Sequence, residues 1–272
     1  GMPMKSWRRY LDLGLLPVLL VVTALVSLTA GEIRAASETA DKPTTGNRES
    51  TVLITGANRG IGLALANHFH QQGFAVIGTA RKPEEALALK ATGVEILQLD
   101  ITDPASVASL KSELQGRPLD ILLNNAGIGG HRTPELKDLD IERLKDTFDV
   151  NSLGALRVIQ ALMPNMRMGS RRIVASMSSR MGSIEQNTGG AIGYRASKSA
   201  LNSINKSLSS EFSKEEFVFV VLHPGWVRTD MTNERATYST DESAQQLFKV
   251  ITALSTRDNG QFYDLHGKSI AW

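Results

Sequence analysis

Residues 51–62 read TVLITGANRGIG, an apolar run followed by glycines at positions 56, 60 and 62. The run Thr51–Thr55 has the length and composition of a buried strand. From Gly60 to Gln72 apolar side chains recur at helical spacing, which predicts a helix that begins among the glycines. Glycines between a strand and a helix permit a tight turn and let a phosphate approach the free N–H groups of the helix. The stretch predicts a dinucleotide-phosphate site, with an ordinary strand–helix turn as the alternative, because GxxxGxG differs in spacing from GxGxxG.

The alternation of strand and helix continues to the end of the chain. Apolar runs predict further strands at 74–79, 94–99, 119–123, 172–175, 217–222 and 261–263. Helical patterns cover 83–91, a stretch opened by Asp103-Pro104, 141–163, 194–212 and 242–254. This order implies parallel strands with right-handed crossovers and helices on both faces. We therefore expect one doubly wound α/β (Rossmann) domain over residues 51–272.

The N-terminal 36 residues have a different character. Basic residues precede an uncharged stretch at 13–31 that ends in small residues, as in a secretory signal, and the stretch is also long enough for a membrane anchor. We expect residues 1–36 to be a signal peptide or membrane anchor and 37–50 a linker, so that the domain is exported, periplasmic or membrane-anchored. A mis-assigned start codon is the alternative and would leave the protein cytoplasmic. Gly1 before Met2 reads as an expression scar.

Composition excludes several classes of function. The formal net charge is only +2, which gives no basic field for nucleic acid. The absence of cysteine excludes disulfides, thiolate metal sites and a cysteine nucleophile. His68 and His70 fall on different faces of their helix, so we expect no metal site.

The end of the second predicted strand bears on the choice of cofactor. Dinucleotide folds that bind NAD often carry an acid there for the ribose 2′-hydroxyl, but residues 78–81 read GTAR. Arg81 and Arg59 offer guanidinium groups suited to a 2′-phosphate. The sequence therefore favours NADP(H) over NAD, with solvated surface charges as the alternative. Asp100, after the third strand, is placed to accept from the adenine amino group or to take part in helix capping with Asp103.

Tyr194 and Lys198 form the candidate reactive pair. Four residues apart on a predicted helix, they lie on one face about one turn apart. An ammonium group beside a phenol favours its ionised form, as a general acid or base near neutral pH requires. The spacing alone also arises by chance, so the pair gains weight only from its surroundings. The hydroxyls of Ser178 and Ser179, after the apolar run 173–175, are placed to bond the same reacting oxygen.

Two more polar segments follow predicted strands. The run Asn124-Asn125-Ala126-Gly127 follows the fourth strand, and HPGWVRT at 223–229 follows the sixth. Both fall at the carboxyl edge, where open α/β sheets bind ligands. Thr229 is placed to bond a carboxamide, whereas His223 reads as a structural histidine rather than a base. A polar turn is the alternative for each segment.

Taken together, TGxxxGxG, NNAG, an asparagine, a serine, YxxxK and a PG segment appear in order over residues 51–272. With these motifs the chain resembles the classical short-chain dehydrogenase/reductase family. The sequence around the motifs is similar to the carbonyl-reductase-like and C-factor-like branch of that family. The resemblance implies a catalytic tetrad of Asn151, Ser179, Tyr194 and Lys198. Ser179 is preferred over Ser178 because the family serine lies three residues before a glycine, here Gly182, and Ser178 stays open.

The resemblance also implies the reaction. We expect an NADP(H)-dependent oxidoreductase that reduces a small-molecule carbonyl or oxidises an alcohol, with Tyr194 as general acid or base. Homodimers or homotetramers are usual in the family. The alternative is a sensor or signalling protein that binds NADP(H) without turnover. The predicted cofactor-binding residues are Gly56, Asn58, Arg59, Gly60, Ile61, Gly62, Arg81, Asp100, Ile101, Asn125, Ala126, Gly127, Tyr194, Lys198, Pro224, Gly225, Val227 and Thr229.

Overall fold

A parallel sheet of seven strands forms the centre of the domain, in the order β3-β2-β1-β4-β5-β6-β7. The structure is a computed structural model that describes residues 49–130, 136–230, 232 and 235–272. The strands are β1 (Thr51–Ile54), β2 (Ala75–Ala80), β3 (Glu95–Gln98), β4 (Ile121–Asn124), β5 (Ile173–Met177), β6 (Val218–His223) and β7 (Gln261–Asp264). All six neighbouring pairs are parallel. The predicted doubly wound α/β domain is confirmed, whereas the predicted signal or anchor at 1–36 lies outside the described residues.

Helices cover both faces of the sheet. They are α1 (Gly60–Gln71), α2 (Leu87–Thr92), α3 (Pro104–Glu113), α4 (Ile141–Phe148), α5 (Ala155–Met168), α6 (Ile192–Glu211) and α7 (Thr240–Ala253). Alternate strand residues face opposite ways, so Val52 and Ile54 join the core beneath α1 and α7, while Leu53 joins the core beneath α3 and α5. None of the helices in the described part of the chain has the length and apolar character needed to cross a membrane.

The predicted helix boundaries are confirmed in part. Asp103 caps α3 as expected, because its carboxylate accepts from the N–H of Ala105 at 2.9 Å and Pro104 opens the helix. The stretch 83–91 is not one helix: a 3₁₀ turn over Pro83–Glu85 precedes α2.

The predicted long helix at 141–163 is also divided. A π-helical turn, Asp149–Gly154, separates α4 from α5. The helix then continues past Pro164 to Met168. An apolar period does not reveal one extra residue in a turn, and Pro164 is exposed, so water can satisfy the carbonyl that its ring leaves unpaired.

Candidate active site

A cleft of about 1430 Å³ lies along the carboxyl edge of the sheet. It is lined by the loops that follow six strands, β1 to β6, as expected for an open α/β sheet. Of the residues predicted to bind cofactor, those that line it are Gly56, Asn58, Arg59, Gly60, Ile61, Arg81, Asp100, Ile101, Asn125, Ala126, Gly127, Tyr194, Lys198, Pro224 and Thr229. The remaining three, Gly62, Gly225 and Val227, are not among the described residues that form its surface.

The glycines of the loop after β1 give it a shape that other residues resist. Gly56 and Gly60 have φ of 62° and 58°, in the left-handed region that glycine adopts at low cost. A Cβ on Gly62 would lie 2.3 Å from the carbonyl oxygen of Gly56, so only glycine allows α1 to start this close to the loop. The first N–H groups of α1 have no partners inside the helix, and they open onto the cleft beside Gly60 and Ile61. This arrangement suits a pyrophosphate.

Asn125 braces that loop from the neighbouring strand. Its Nδ2 donates to the carbonyl oxygens of Thr55 and Gly56, each at 3.2 Å. In return, the hydroxyl of Thr55 accepts from the N–H groups of Asn125 and Ala126 at 3.1 and 3.0 Å. The sequence predicted cofactor contact for Asn125 but not this bracing. The geometry gives it a second task, which is to hold the glycine loop in register with β4.

Two arginines flank one end of the cleft. Arg59 pairs with Asp230 at 3.1 Å, and both side chains are largely exposed, so the pair contributes only about 0–1 kcal/mol and a better anion can replace it. The carboxyl of Asp100 accepts from the N–H and hydroxyl of Thr102 at 2.9 and 2.7 Å. These hydrogen bonds, with a contribution from the charge of Arg81, hold its pKa below the usual range. Arg59 and Arg81 thus both line the cleft, and their role as ligands of a 2′-phosphate stays a prediction.

Polar residues that the sequence did not predict as ligands also line the cleft, among them Asn67, Lys82 and Asp241. Lys82 follows Arg81 directly, and its ammonium group pairs with Glu85 at 3.0 Å. The signal for Lys82 was its place beside a predicted phosphate ligand. Asn67 lies two turns along α1 from Gly60, so helical periodicity alone connects it with the cleft.

The loop after β6 closes over the glycine loop. Gly225 has φ of 85°, and a Cβ there would lie 2.8 Å from Cδ2 of Tyr238. Val227 is buried and forms a β-bridge with Tyr238. Thr229 lies against the other wall, since a Cβ on Gly60 would meet its Cγ2 at 3.8 Å. Gly225 and Val227 thus shape the loop, whereas Thr229 faces the cleft.

Tyr194 and Lys198 line the cleft, and the buried Asn151 lies close behind its surface at Gly127. Lys198 is 5% exposed and its ammonium donates to the carbonyl oxygen of Met177 at 2.8 Å. The same nitrogen lies 5.9 Å from the centre of the Tyr194 ring. A Cβ on Gly127 would lie 3.3 Å from Oδ1 of Asn151 and 3.5 Å from Nζ of Lys198. A phenol, a buried ammonium and a carboxamide are therefore held close to one point, and Gly127 leaves the space for them.

The π-helical turn fixes Asn151. Its carboxamide accepts from the N–H of Ile128 at 2.8 Å and donates to the carbonyl of Ile128 at 2.9 Å and to Ser197 Oγ at 3.1 Å. Ser152, next in the turn, donates to the carbonyl of Ser197 at 2.7 Å. Turns of this kind often occur at functional sites. Here the extra residue brings two consecutive buried side chains against α6, which carries Tyr194.

The two serines after β5 use their hydroxyls differently. Ser178 donates to Oδ1 of Asn202 at 2.6 Å. Ser179 instead accepts, from the N–H of Met181 at 3.1 Å, as the cap of a 3₁₀ turn over Arg180–Gly182. A hydroxyl has one proton to donate, so that of Ser178 is engaged in the fold, although Ser178 also lines the cleft. Ser179 is buried and is not among the described residues that line the cleft, so a contact of its hydroxyl with a ligand stays a prediction.

His223 ends β6 beside the serine turn. Its Nδ1 accepts from the N–H of Arg180 at 3.1 Å, which requires a neutral ring. Burial lowers the pKa of His223 to about 4; the charge of Arg180 lowers it further, and that of Asp264 opposes the shift. The structural role read from the sequence agrees with this contact.

The low pKa of His223 predicts a loss of stability in acid. The unfolded chain binds a proton at this residue below about pH 6.5, whereas the folded chain does so only near pH 4. Stability therefore falls as pH falls through this window. We expect His223→Asn to lose about 2 kcal/mol less than the wild type between pH 6.5 and 4.5. Urea unfolding at both pH values measures the difference, and equal losses would show that folding does not lower the pKa of His223.

Known proteins are similar to this chain in sequence and in fold. Residues 50–239 match the family model described as short chain dehydrogenase. The C-signal protein of Myxococcus xanthus is 44% identical over 156 residues, which are 57% of this chain and 93% of that protein. The carbonyl reductase Sniffer of D. melanogaster superposes with a TM-score of 0.76 at 32% identity, over 82% of this chain and 100% of its own. An NADPH-bound carbonyl reductase from chicken fatty liver gives 0.75 and 33%, over 83% and 100%.

The chain belongs to the short-chain dehydrogenase family, and it is an oxidoreductase by that membership. The resemblance noted in its motifs is thereby confirmed. The role of each site residue stays a prediction, and of the four predicted catalytic residues Tyr194 and Lys198 line the cleft.

Proposed function

We propose that the protein is an NADP(H)-dependent oxidoreductase that interconverts a small carbonyl compound and its alcohol, with Tyr194 as general acid or base. One observation carries the proposal. The phenol of Tyr194 and the buried ammonium of Lys198 lie in the same cleft as the glycine loop at 56–62. A cofactor held by that loop would share the cleft with a group that can exchange a proton. The carbonyl reductases among the similar structures support turnover, so a protein that only senses NADP(H) is not favoured.

The cleft suits NADP(H) in shape and in charge. Gly62 leaves room that any Cβ would fill, Gly60 and Ile61 offer helix N–H groups to the pyrophosphate, and Arg59 and Arg81 suit the 2′-phosphate. Structures of carbonyl reductases of this fold with bound NADPH or NADP support the assignment. The cofactor, when bound, supplies or accepts the hydride.

The side chains handle the proton and the carbonyl oxygen. In the reductive direction Tyr194 gives its phenolic proton to the carbonyl oxygen as the hydride reaches carbon. Lys198 stabilises the phenolate that remains, because an opposite charge nearby favours the ionised form. Asn151 holds a water through which the phenol regains its proton, a role that rests on the family resemblance.

Ser179 is the residue that we assign to polarise the carbonyl. Its hydroxyl proton is available to an incoming oxygen, whereas that of Ser178 is directed at Asn202. A hydrogen bond to the carbonyl oxygen strengthens as negative charge develops there, and it therefore lowers the barrier to reduction. Ser179→Ala is therefore expected to lower kcat about 10²-fold. Ser178→Ala is expected to lower kcat less.

The experiment that tests this function is NADPH oxidation by the full chain with a panel of aldehydes, ketones and quinones. Consumption that requires both protein and carbonyl, with the matching alcohol as product, supports the proposal. NADPH binding without oxidation across the panel contradicts it and favours the sensor.

Arg59 and Arg81 predict a preference between the two nicotinamide cofactors. A 2′-phosphate gripped by guanidinium groups makes charge-assisted hydrogen bonds that NADH lacks, so NADPH should bind at least about tenfold tighter than NADH. Arg81→Asp is expected to narrow this ratio, because it removes one partner and adds repulsion. Titration of intrinsic fluorescence with each cofactor measures the ratio.

Lys111→Asp provides the control for charge. It makes the same sign reversal on α3, where Lys111 is exposed and outside the cleft, and should leave the NADPH to NADH ratio unchanged. Equal wild-type affinities for the two cofactors would refute the 2′-phosphate assignment.

We also propose that the assembled form is a homodimer or homotetramer. We further propose that the domain is exported or membrane-anchored through residues 1–36, with 37–50 as linker. The uncharged stretch at 13–31 supports export or membrane anchoring. Fractionation of cells that make the full chain tests it. Recovery in the membrane or exported fraction is expected, and recovery in the cytoplasm would favour a mis-assigned start.

A further inference from the structure

We propose that His223 is a positioning residue for Ser179, acting through the backbone N–H of Arg180. The inference deepens the proposed function and rests on it, because it concerns how the carbonyl-polarising hydroxyl is held. It assigns a task to a side chain that does not itself need to meet the substrate.

The backbone on either side of Ser179 is tied to β6. The N–H of Ser178 donates to the carbonyl oxygen of Leu222 at 2.7 Å, continuing the ladder that pairs Met177 with Leu222. On the other side, the N–H of Arg180 donates to Nδ1 of His223 at 3.1 Å. Ser179 therefore lies between two hydrogen bonds to consecutive residues of one strand.

The second of these bonds replaces a missing rung of the sheet. After Met177 the chain leaves β5 and enters the 3₁₀ turn over Arg180–Gly182, beyond the last residue pair of the β5–β6 ladder. The imidazole of His223 presents an acceptor at this point. The side chain of His223 thus adds a hydrogen bond between β6 and the turn, beyond the backbone hydrogen bonds of the sheet.

The 3₁₀ turn also fixes the side chain of Ser179. The N–H of Met181 donates to Oγ of Ser179 at 3.1 Å, and the N–H of Gly182 donates to its carbonyl oxygen at 2.8 Å. The direction left for the hydroxyl proton depends on where Met181 and Gly182 stand. Anchoring Arg180 anchors both, so loss of that bond lets the hydroxyl drift from its orientation. A misplacement of about 1 Å is enough to impair catalysis.

His223 suits this task and not that of a base. Its neighbour Pro224 lines the cleft, whereas His223 is not among the described residues that do so. Burial keeps the ring neutral, with Arg180 and Asp264 as the charged groups that face it and a pKa of about 4. Nδ1 therefore remains an acceptor across the neutral range.

Two substitutions of His223 separate the acceptor from the bulk of the ring. His223→Asn keeps an acceptor oxygen near the position of Nδ1, and His223→Leu fills a similar space without one. We expect His223→Leu to lower kcat about tenfold, the effect of one lost hydrogen bond. His223→Asn should stay within about twofold of the wild type, and both variants should keep the wild-type Kd for NADPH.

A second pair of variants reaches the same bond from its donor. Arg180→Pro deletes the N–H and is compatible with the backbone, because proline is accepted at the first position of such a turn and Ser179 before it is extended (φ −154°, ψ 150°). Arg180→Ala removes the side chain and keeps the N–H. Proline is expected to reproduce the loss of kcat, and alanine is not. Thermal melting shows whether His223→Leu folds. If it does not, the two Arg180 variants still test whether the bond from Arg180 to His223 supports kcat.

Combination with Ser179→Ala identifies the residue through which His223 acts. If His223 works by placing Ser179, His223→Leu adds less than about a twofold loss in the Ser179→Ala background. A further tenfold loss there, or full activity of both His223→Leu and Arg180→Pro, overturns the inference. Wild-type kcat in Ser179→Ala alone would instead refute the role of Ser179 in the proposed function, so the two failures are distinguishable.

Discussion

Tyr194→Phe is expected to lower kcat about 10³-fold and to bind NADPH as tightly as the wild type. The substitution removes one oxygen and with it the proton that the carbonyl needs, and general acid–base groups contribute about 10²–10⁴-fold. The ring remains, so its packing beside Lys198 and the shape of the cleft are kept. Steady-state turnover with the best carbonyl of the panel, together with fluorescence titration of NADPH, measures both parts of the expectation.

Tyr263→Phe is the matched control, since it deletes the same atom outside the cleft. The phenol of Tyr263 donates to Asp258 at 2.8 Å, and burial together with this bond raises the pKa of Tyr263 to about 12. We expect a cost of about 1 kcal/mol in stability and unchanged turnover. A Tyr194→Phe variant that is as active as Tyr263→Phe would remove Tyr194 from the mechanism.

Gly62→Ala is expected to weaken NADPH binding more than tenfold. The new methyl group would lie 2.3 Å from the carbonyl oxygen of Gly56 and 2.4 Å from Nδ2 of Asn125. Both groups belong to the brace that shapes the glycine loop, so the loop must move away from the N-terminus of α1. Overpacking of this kind also costs about 3 kcal/mol of stability. Isothermal titration with NADPH and urea unfolding measure the two effects.

Gly73→Ala makes the same chemical change at the other end of α1. Gly73 has φ of 84°, and a Cβ there would meet nothing within 4 Å. Alanine at this conformation costs about 1–2 kcal/mol, but the cleft is untouched and NADPH affinity should be unchanged. If Gly62→Ala binds NADPH as well as Gly73→Ala does, the glycine loop is not the phosphate site.

The sheet was predictable because its signal is local. Each strand is a short apolar run, and alternation alone sends Leu53 to one face and Val52 and Ile54 to the other. Helix ends with a chemical marker were predictable too, as the cap at Asp103 shows. The break at Asp149–Gly154 was not, because one extra residue in a turn leaves no mark in the apolar period.

The site was predictable as a set of residues, but the ties between them were not. Its motifs follow successive strands, and parallel strands bring such segments to one edge. The bracing by Asn125, the contrast between Ser178 and Ser179 and the bond from Arg180 to His223 depend on side-chain directions between distant segments. No spacing in the chain encodes those directions, so they emerge only from the packed fold.

Transfer of deuterium from NADPH labelled at its transferable position tests the central claim most directly. The full chain is incubated with the labelled cofactor and an active aldehyde or ketone, and the product is examined by mass spectrometry. We expect an alcohol that carries one deuterium on the former carbonyl carbon for each NADPH consumed, and almost none with Tyr194→Phe. Tight cofactor binding without labelled alcohol from any carbonyl tested would contradict it.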